Sequence, residues 1–461
     1  MTKKTMLSIA ALVIGTGLVL AGCTTPTGNG ADASGKLTIW TFKKEWVPGL
    51  EAAGAAYSEK NGGDVTVDVE YFDEANGLYS SKVTAAARGD ELPDLLTSYG
   101  SQWDYVGGNL YQQLNGKLDD TLANFPSALV DSFVKFNDST QATCASNPDC
   151  TYGDVKIGDY YTLPQISGAT GYFYANKDQL EAAGVDPNVA PASWEDLIAD
   201  VQKTHDALGD AGGAVIPLKI PETGWLWLLR PTLFTQIGAQ ATADLFADKT
   251  GESWKDPAVI RSLAIYDDLS PYWIPSVLQD GIEEADQEFV SGQATWYYGG
   301  TFSLAGLVQK GMDPSKLLVF PMPVAAGGEL SKLTLRPWAS GSIGISKDAK
   351  NADLALDFLK FYMSEPGAQA FASKVADTPA VTLPASDSDQ SPLTPATAAS
   401  FGDGEDAYDE FVSYGPTCDA AKTLNNQASV ALTGLVTGEQ TPESLAGVLA
   451  DLYQKSWAAC E

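Results

Sequence analysis

A chain of 461 residues, 44% hydrophobic and 19% charged, has a globular composition and the length for two domains or two large lobes. Its 59 acidic and 28 basic residues give a formal net charge of −31. Such a field repels phosphate and disfavours nucleic acid as a partner.

At the amino terminus, Lys3 and Lys4 precede the uncharged apolar run Met6–Ala21. That run is shorter than the ~20 residues a membrane-spanning helix needs, and it has the layout of a secretory signal. It ends in "LVLAGC", Leu18–Cys23, which resembles a bacterial lipobox. The implication is cleavage before Cys23 and lipidation of its thiol. Residues 1–22 are then a signal peptide, and 23–35 are a flexible tether rich in Thr, Gly and Ser. The expected location is the extracellular face of the cell membrane, held by lipid.

"LTIWTF" (37–42) reads as a buried first strand. Residues 47–63 read as a helix with Pro near its start and Gly at its end. "DVTVDVEYF" (64–72) alternates as a second strand. A helix from Leu78 and a strand at 94–99 follow. This strand–helix alternation predicts an α/β layer with a parallel sheet, whose ligands bind beyond the carboxyl ends of the strands. Residues 160–186 read as strand, kink, strand, helix, and 191–212 as a helix capped by Ser193. The stretch to 288 is polar and helical. In "TWYYGGTF" (295–302), Trp296 falls mid-strand, Tyr298 at the strand end, and Thr301 and Phe302 open the next helix. Two strands with a Gly-rich connection follow, then one periodic helix over 351–373, a Pro/Ser/Thr/Asp-rich excursion over 376–416, and two final helices.

Of five cysteines, Cys23 is the lipid carrier, which leaves an even number in an oxidising compartment. Three pairings are possible. The short loop "CASNPDC" favours Cys144 with Cys150, and Cys418 then pairs with Cys460. The spacings do not match zinc knuckles, and no metal or cofactor is expected.

Several stretches together resemble the sugar family of ABC-importer solute-binding proteins, the maltose-binding type. They are "LTIWTF", "YYTLPQISGATGYFYANKDQLEAAGVD" with "ASWEDL", "EFVSGQATWYYGGTF", "SGSIGISKDAKNADLALDFLKFYMSEPGAQAF" and "LVTGEQTPESLAGVLADLYQKSW". They span nearly the whole mature chain in the family's order. The resemblance implies a two-lobed α/β fold of the periplasmic-binding-protein type, with discontinuous lobes joined by hinge strands. Lobe 1 is expected at 36–164 plus 324–372, and lobe 2 at 165–322 plus 373–461. The crossovers fall near Pro164 and Pro321–Pro323. The implied function is capture of an oligosaccharide between the lobes and its delivery to permease subunits served by a separate ATPase chain. The protein is expected to be a monomer and not an enzyme.

Sugar rings offer flat C–H faces to aromatic side chains and hydroxyls to charged or amide groups. Strand ends supply Phe42, Lys43, Glu45, Trp46, Asp73, Glu74, Tyr99, Gln102 and Trp103 in lobe 1. Glu222 and Trp225 match a ligand-contacting region of the family, and Tyr298, Gly299 and Thr301 close the aromatic strand. Gln165, Arg336 and Trp338 stand at the crossovers. Two other readings are a glycoside hydrolase, which needs a pair of carboxylates across the scissile bond, and a passive surface adhesin. The sequence has one histidine, no G-x-S-x-G elbow and no phosphate-binding GxxxxGK[ST] loop. The acidic runs "DSDQ" and "DGEDAYDE" lack the spacing of a calcium loop and read as solvated loops.

Overall fold

The computed structural model describes residues 35–74, 77–98, 103–137, 140–141, 154–384, 391–402, 404–412, 414–416, 418 and 423–460. The signal segment, Cys23, Tyr99, Gln102 and the Cys144–Cys150 pair lie outside them.

The first lobe is built on strands β1 (Lys36–Thr41), β2 (Thr66–Tyr71), β3 (Leu95–Ser98) and β4 (Leu163–Gly168). The second takes β5 (Thr170–Asn176), β6 (Ala214–Val215), β7 (Trp296–Gly300) and β8 (Leu317–Pro321). Then come β9 (Thr334–Leu335), β10 (Trp338–Ile345), which returns to lobe 1, and β11 (Ala407–Tyr408). Lobe 1 has the sheet order β2-β1-β3-β10-β4, and lobe 2 has β6-β7-β5-β8. In lobe 1, β1 runs parallel to β2 and β3, while β10 runs antiparallel to β3 and β4. The sheet is therefore mixed, and the expected parallel layer is its first part.

Alternation along the strands explains why lobe 1 has two cores. Leu37, Ile39 and Leu95 face one layer of helices, while Trp40 and Leu96 face the other. A strand buried on both faces reads as a nearly continuous apolar run, as "LTIW" does. In lobe 2 the rings stand across the strands instead. Phe173 of β5 lies opposite Tyr298 of β7 and Phe320 of β8, with centroids 4.7 and 5.8 Å away. Such cross-strand pairs fix register.

Three segments pass between the lobes. The first is Ala169, between β4 and β5. The second lies between β9 and β10. The third leaves lobe 1 after Val381 and has reached the core of lobe 2 by Leu393. Before it, Thr378–Ala380 pairs with β4, Ser167 N donating to Thr378 O and Ala380 N to Gln165 O, each at 3.0 Å. These positions differ from the expected ones. Pro164 does not end lobe 1, because β4 is the edge of its sheet and an edge strand tolerates proline. Ala325, Leu333 and Leu335 are buried in the core of lobe 2 and Val324 packs half-buried against it, so that segment does not return at Pro323. Val375, Ala380 and Val381 are buried in lobe 1. The helix expected over 351–373 is two helices, Ala352–Tyr362 and Glu365–Ala372, the second opening with Pro366 in its first turn. The strand β7 runs on through both glycines, and the helix after it starts at Leu304 rather than Thr301. Ser193 caps Trp194–Leu208 as expected, accepting from Asp196 N at 3.1 Å.

Cys418 and Cys460 form a disulfide, with Cα atoms 5.7 Å apart, that fastens the last helix to the loop before Leu424.

Candidate functional site

Around the first two crossings, five rings form a chain of edge and tilted contacts from one lobe to the other. Trp227 meets Phe302 at 5.5 Å, and Phe302 meets Trp338 at 6.1 Å. Trp338 meets Phe411 at 4.9 Å, and Phe411 meets Phe133 at 5.4 Å. Trp227 and Phe302 belong to lobe 2, Trp338 begins β10, Phe411 sits on the loop after β11, and Phe133 belongs to lobe 1. Trp338 is buried, Phe411 is 48% exposed, and the other three are half-buried. The four that are not buried leave part of their flat apolar faces to a ligand, with Trp338 filling the space between Phe302 and Phe411. Gly168 makes room for this arrangement, since a Cβ there would meet the Trp338 indole at 2.8 Å.

The loop that carries Phe411 is strapped down by two arginines. Arg230 is 5% exposed and donates to Glu410 O at 3.3 Å and Val412 O at 2.9 Å. Its guanidinium lies over the rings of Tyr408 and Tyr414. Arg336 donates to Gly404 O at 3.2 Å and stands 3.9 Å from the Asp409 carboxylate. Glu410 turns inward. Thr170 Oγ1, on the first residue of β5, donates to Glu410 Oε2 at 2.8 Å. Burial lifts the Glu410 carboxyl to about 7, against the hydrogen bonds from Thr170 and Trp227 and the charge of Arg230.

The expected site residues divide into groups. Trp46 is fully buried, and its Nε1 donates to Asp377 at 3.3 Å; a Cβ on Gly341 would overlap its ring. Trp225 is fully buried against Trp254 and Phe246 in the core of lobe 2. Trp103 packs on Phe136 and Tyr161. Tyr298 is buried and its hydroxyl donates to Trp227 O at 2.5 Å. These four are packing residues, because each ring lies where its strand or helix faces a core. Gly299 and Thr301 are also buried, and Thr301 Oγ1 bridges Ala169 N and Ser167 O at the first crossing. Gln165 is 3% exposed and accepts from Tyr362 OH, inside lobe 1. Glu222 faces outward to Asn426, 2.8 Å away.

Lys43 is held by Asp377 and by Phe302 O, each at 3.0 Å. Glu74 accepts from Ser80 N at 2.9 Å and so fastens the turn after β2 to the next helix. Phe42 is half-buried between Trp46 and Tyr79. Glu45 and Asp73 flank Tyr71 at the end of β2, where burial and then their charges, with that of Glu283 from lobe 2, hold its hydroxyl above the usual range. Of the expected residues that are described, Trp338 is itself a ring of the chain and Arg336 holds its loop, while Lys43 and Tyr298 reach it only through the backbone carbonyls of Phe302 and Trp227. Glu410, Phe411, Trp227, Phe302 and Phe133 were not foreseen as site residues. The available signal was Tyr408, Phe411 and Tyr414, an aromatic at every third position within an acidic loop. Among the described residues no group of three or more His, Cys, Asp or Glu could hold a metal ion, and no helix is long and apolar enough to cross a membrane.

A family model, bacterial extracellular solute-binding protein, matches residues 43–369. The chain belongs to that family. Among solved structures, this solute-binding protein is similar to the GacH receptor of Streptomyces glaucescens, solved unliganded and with acarbose, at 18% identity and a TM-score of 0.62. That match covers 93% of this chain and 100% of the other. A protein solved in work on xylan utilisation by Caldanaerobius polysaccharolyticus is 20% identical, with 91% and 99% covered and a TM-score of 0.62. The maltose–maltodextrin binding protein of Alicyclobacillus acidocaldarius is 16% identical, with 91% and 100% covered and a TM-score of 0.56. At these identities the likeness is one of fold. No curated protein matches the chain.

Proposed function

We propose that this solute-binding protein captures an oligosaccharide between its lobes for an ABC importer and leaves every glycosidic bond intact. The chain of rings from Trp227 to Phe133 is the observation that carries the reading. Its length suits a ligand of several sugar units, whose C–H faces gain roughly 25 cal/mol for each Å² they bury. Around the rings, Glu410 and Arg336 supply groups for hydroxyls. Closure of the lobes would complete the enclosure as a rigid-body rotation at the three crossings. The protein works as a monomer outside the cell, tethered through a lipid on Cys23. The permease recognises the closed form, and a separate chain hydrolyses ATP.

The test uses the protein from Thr24 onward with maltotriose, raffinose, xylotriose and chitotriose. One of them raises the melting temperature with concentration, as mass action requires, and chromatography recovers it intact. Shortened products would establish a hydrolase instead. No shift with any of the four would refute the sugar reading.

A further inference from the structure

Glu410 occupies a position that loop anchoring does not explain. The loop is already fixed through backbone carbonyls, since Arg230 donates to Glu410 O and Val412 O. Arg336 holds it at Gly404 O and Asp409. The Glu410 side chain is left to reach the first crossing, where it accepts from Thr170 at 2.8 Å. The Trp227 side chain, at the lobe 2 end of the ring chain, also favours the ionised form of Glu410. Its neighbour Phe411 is the exposed ring of that chain. A carboxyl beside these edge-on and tilted rings, at the point where the lobes join, is placed to reach a ligand lying on them.

We propose that Glu410 is a specificity-determining residue of the interlobe site, whose carboxylate accepts hydrogen bonds from ligand hydroxyls, so that capture is coupled to release of a proton. This rests on the sugar reading above. The groups that act on Glu410 are few. Arg230 favours its ionised form, as do the hydrogen bonds of Thr170 and Trp227, and Asp409 opposes it. Tyr298, Tyr408 and Tyr414 stand nearby with phenol groups held neutral, each raised above the usual range mainly by burial. Arg336 lies beyond Asp409. Burial outweighs the favourable partners and brings the carboxyl to about 7. The unliganded site is therefore a mixture of acid and carboxylate at neutral pH. Hydroxyl donors from a ligand add to those of Thr170 and Trp227, favour the charged form and lower its pKa. The proton passes to solvent. Affinity then rises with pH between 6 and 8.

The experiment has a ligand-free arm and a ligand arm. In the ligand-free arm, tryptophan emission is followed from pH 4 to 9. A transition with a midpoint near 7 is expected in the native protein, absent in Glu410→Gln. Thr170→Val, which removes one donor and keeps the volume, moves the midpoint upward. This second variant serves if Glu410→Gln does not fold. In the ligand arm, the affinity of whichever of the four named sugars binds rises roughly five- to tenfold from pH 6 to 8, and this slope is lost in Glu410→Gln. An equal slope in native protein and variant would overturn the proposal. So would a Glu410 transition below pH 5, even if every sugar binds. Failure of all four sugars removes the sugar reading, while the ligand-free titration separately tests the ionisation on which this inference depends.

Discussion

Lys43 and Asp377, 334 positions apart, form a salt bridge of 3.0 Å whose carboxylate is completely buried. Asp377 Oδ2 also accepts from Trp46 Nε1, and Oδ1 accepts from Ala305 N at 2.9 Å, at the start of a lobe 2 helix. Lys43 donates in turn to Phe302 O. One buried carboxylate, beside the stretch that pairs with β4, thus joins both lobes. Asp377→Asn keeps the shape but leaves the Lys43 ammonium without its counter-charge. Breaking such a pair from one side costs about 3–5 kcal/mol. Urea unfolding should show a loss of this order, less what water returns to Lys43, which is one-fifth exposed. An unchanged midpoint would show that the bridge contributes nothing.

The reassignment of the tryptophans is testable as a contrast. Trp46→Ala empties a fully buried site and should cost about 3–5 kcal/mol. At temperatures where the variant is folded, its sugar affinity should stay within about threefold of native. Trp227→Ala should do the reverse, with binding weakened roughly tenfold, as for loss of a ring worth about 1.4 kcal/mol. Calorimetry on the two variants separates core from site, and a reversed pattern would return Trp46 to the binding surface.

Glu410 also predicts how stability depends on pH. Its carboxyl is raised in the folded chain from 4.5 to about 7. Between those values the folded state keeps a proton that the unfolded state has lost. Its contribution to stability is therefore full below about 4.5 and falls as pH rises towards 7. Glu410→Gln should flatten this part of the profile and unfold at higher urea than native protein at pH 8. A variant that is less stable at pH 8 would count against a strained carboxylate.

The disulfide between Cys418 and Cys460 closes a loop with a sequence separation of 42. Cross-links over such loops stabilise by roughly 2–4 kcal/mol, mainly by restricting the unfolded chain. Cys460→Ser should lower the melting temperature by several degrees, and reductant should then have a smaller effect on the variant than on native protein. The last helix is anchored independently by Leu445, Leu449 and Tyr453 in the core of lobe 2, so the fold itself should survive.

The strands and most helices were legible because their signals are local. Alternation marked β2, a cap marked Trp194–Leu208, and a proline edge strand misled only the position of the first crossing. The site was less legible. An indole after a strand looks the same in sequence whether it turns toward a cleft or a core. Trp46 turned to the core because Gly341 leaves room for its ring and Asp377 accepts its N–H. Trp225 and Trp227 are two residues apart, yet one is fully buried and the other half-exposed. Glu410 and Phe411 were hidden in an acidic loop that becomes a wall only when Arg230, 180 positions earlier, holds it in place. Long-range contacts of that kind leave no periodicity to read.

The placement of β10 has a consequence for biogenesis. It lies between β3 and β4, pairing with both, although some 170 residues separate it from β4 along the chain. A nascent chain that has not yet released Trp338–Ile345 leaves open the β3 and β4 edges that β10 pairs in the finished sheet. Such edges invite pairing with other chains. The amino-terminal lobe therefore cannot close in order of synthesis, and a holdase that shields strands until the later segment arrives would be of most use to it.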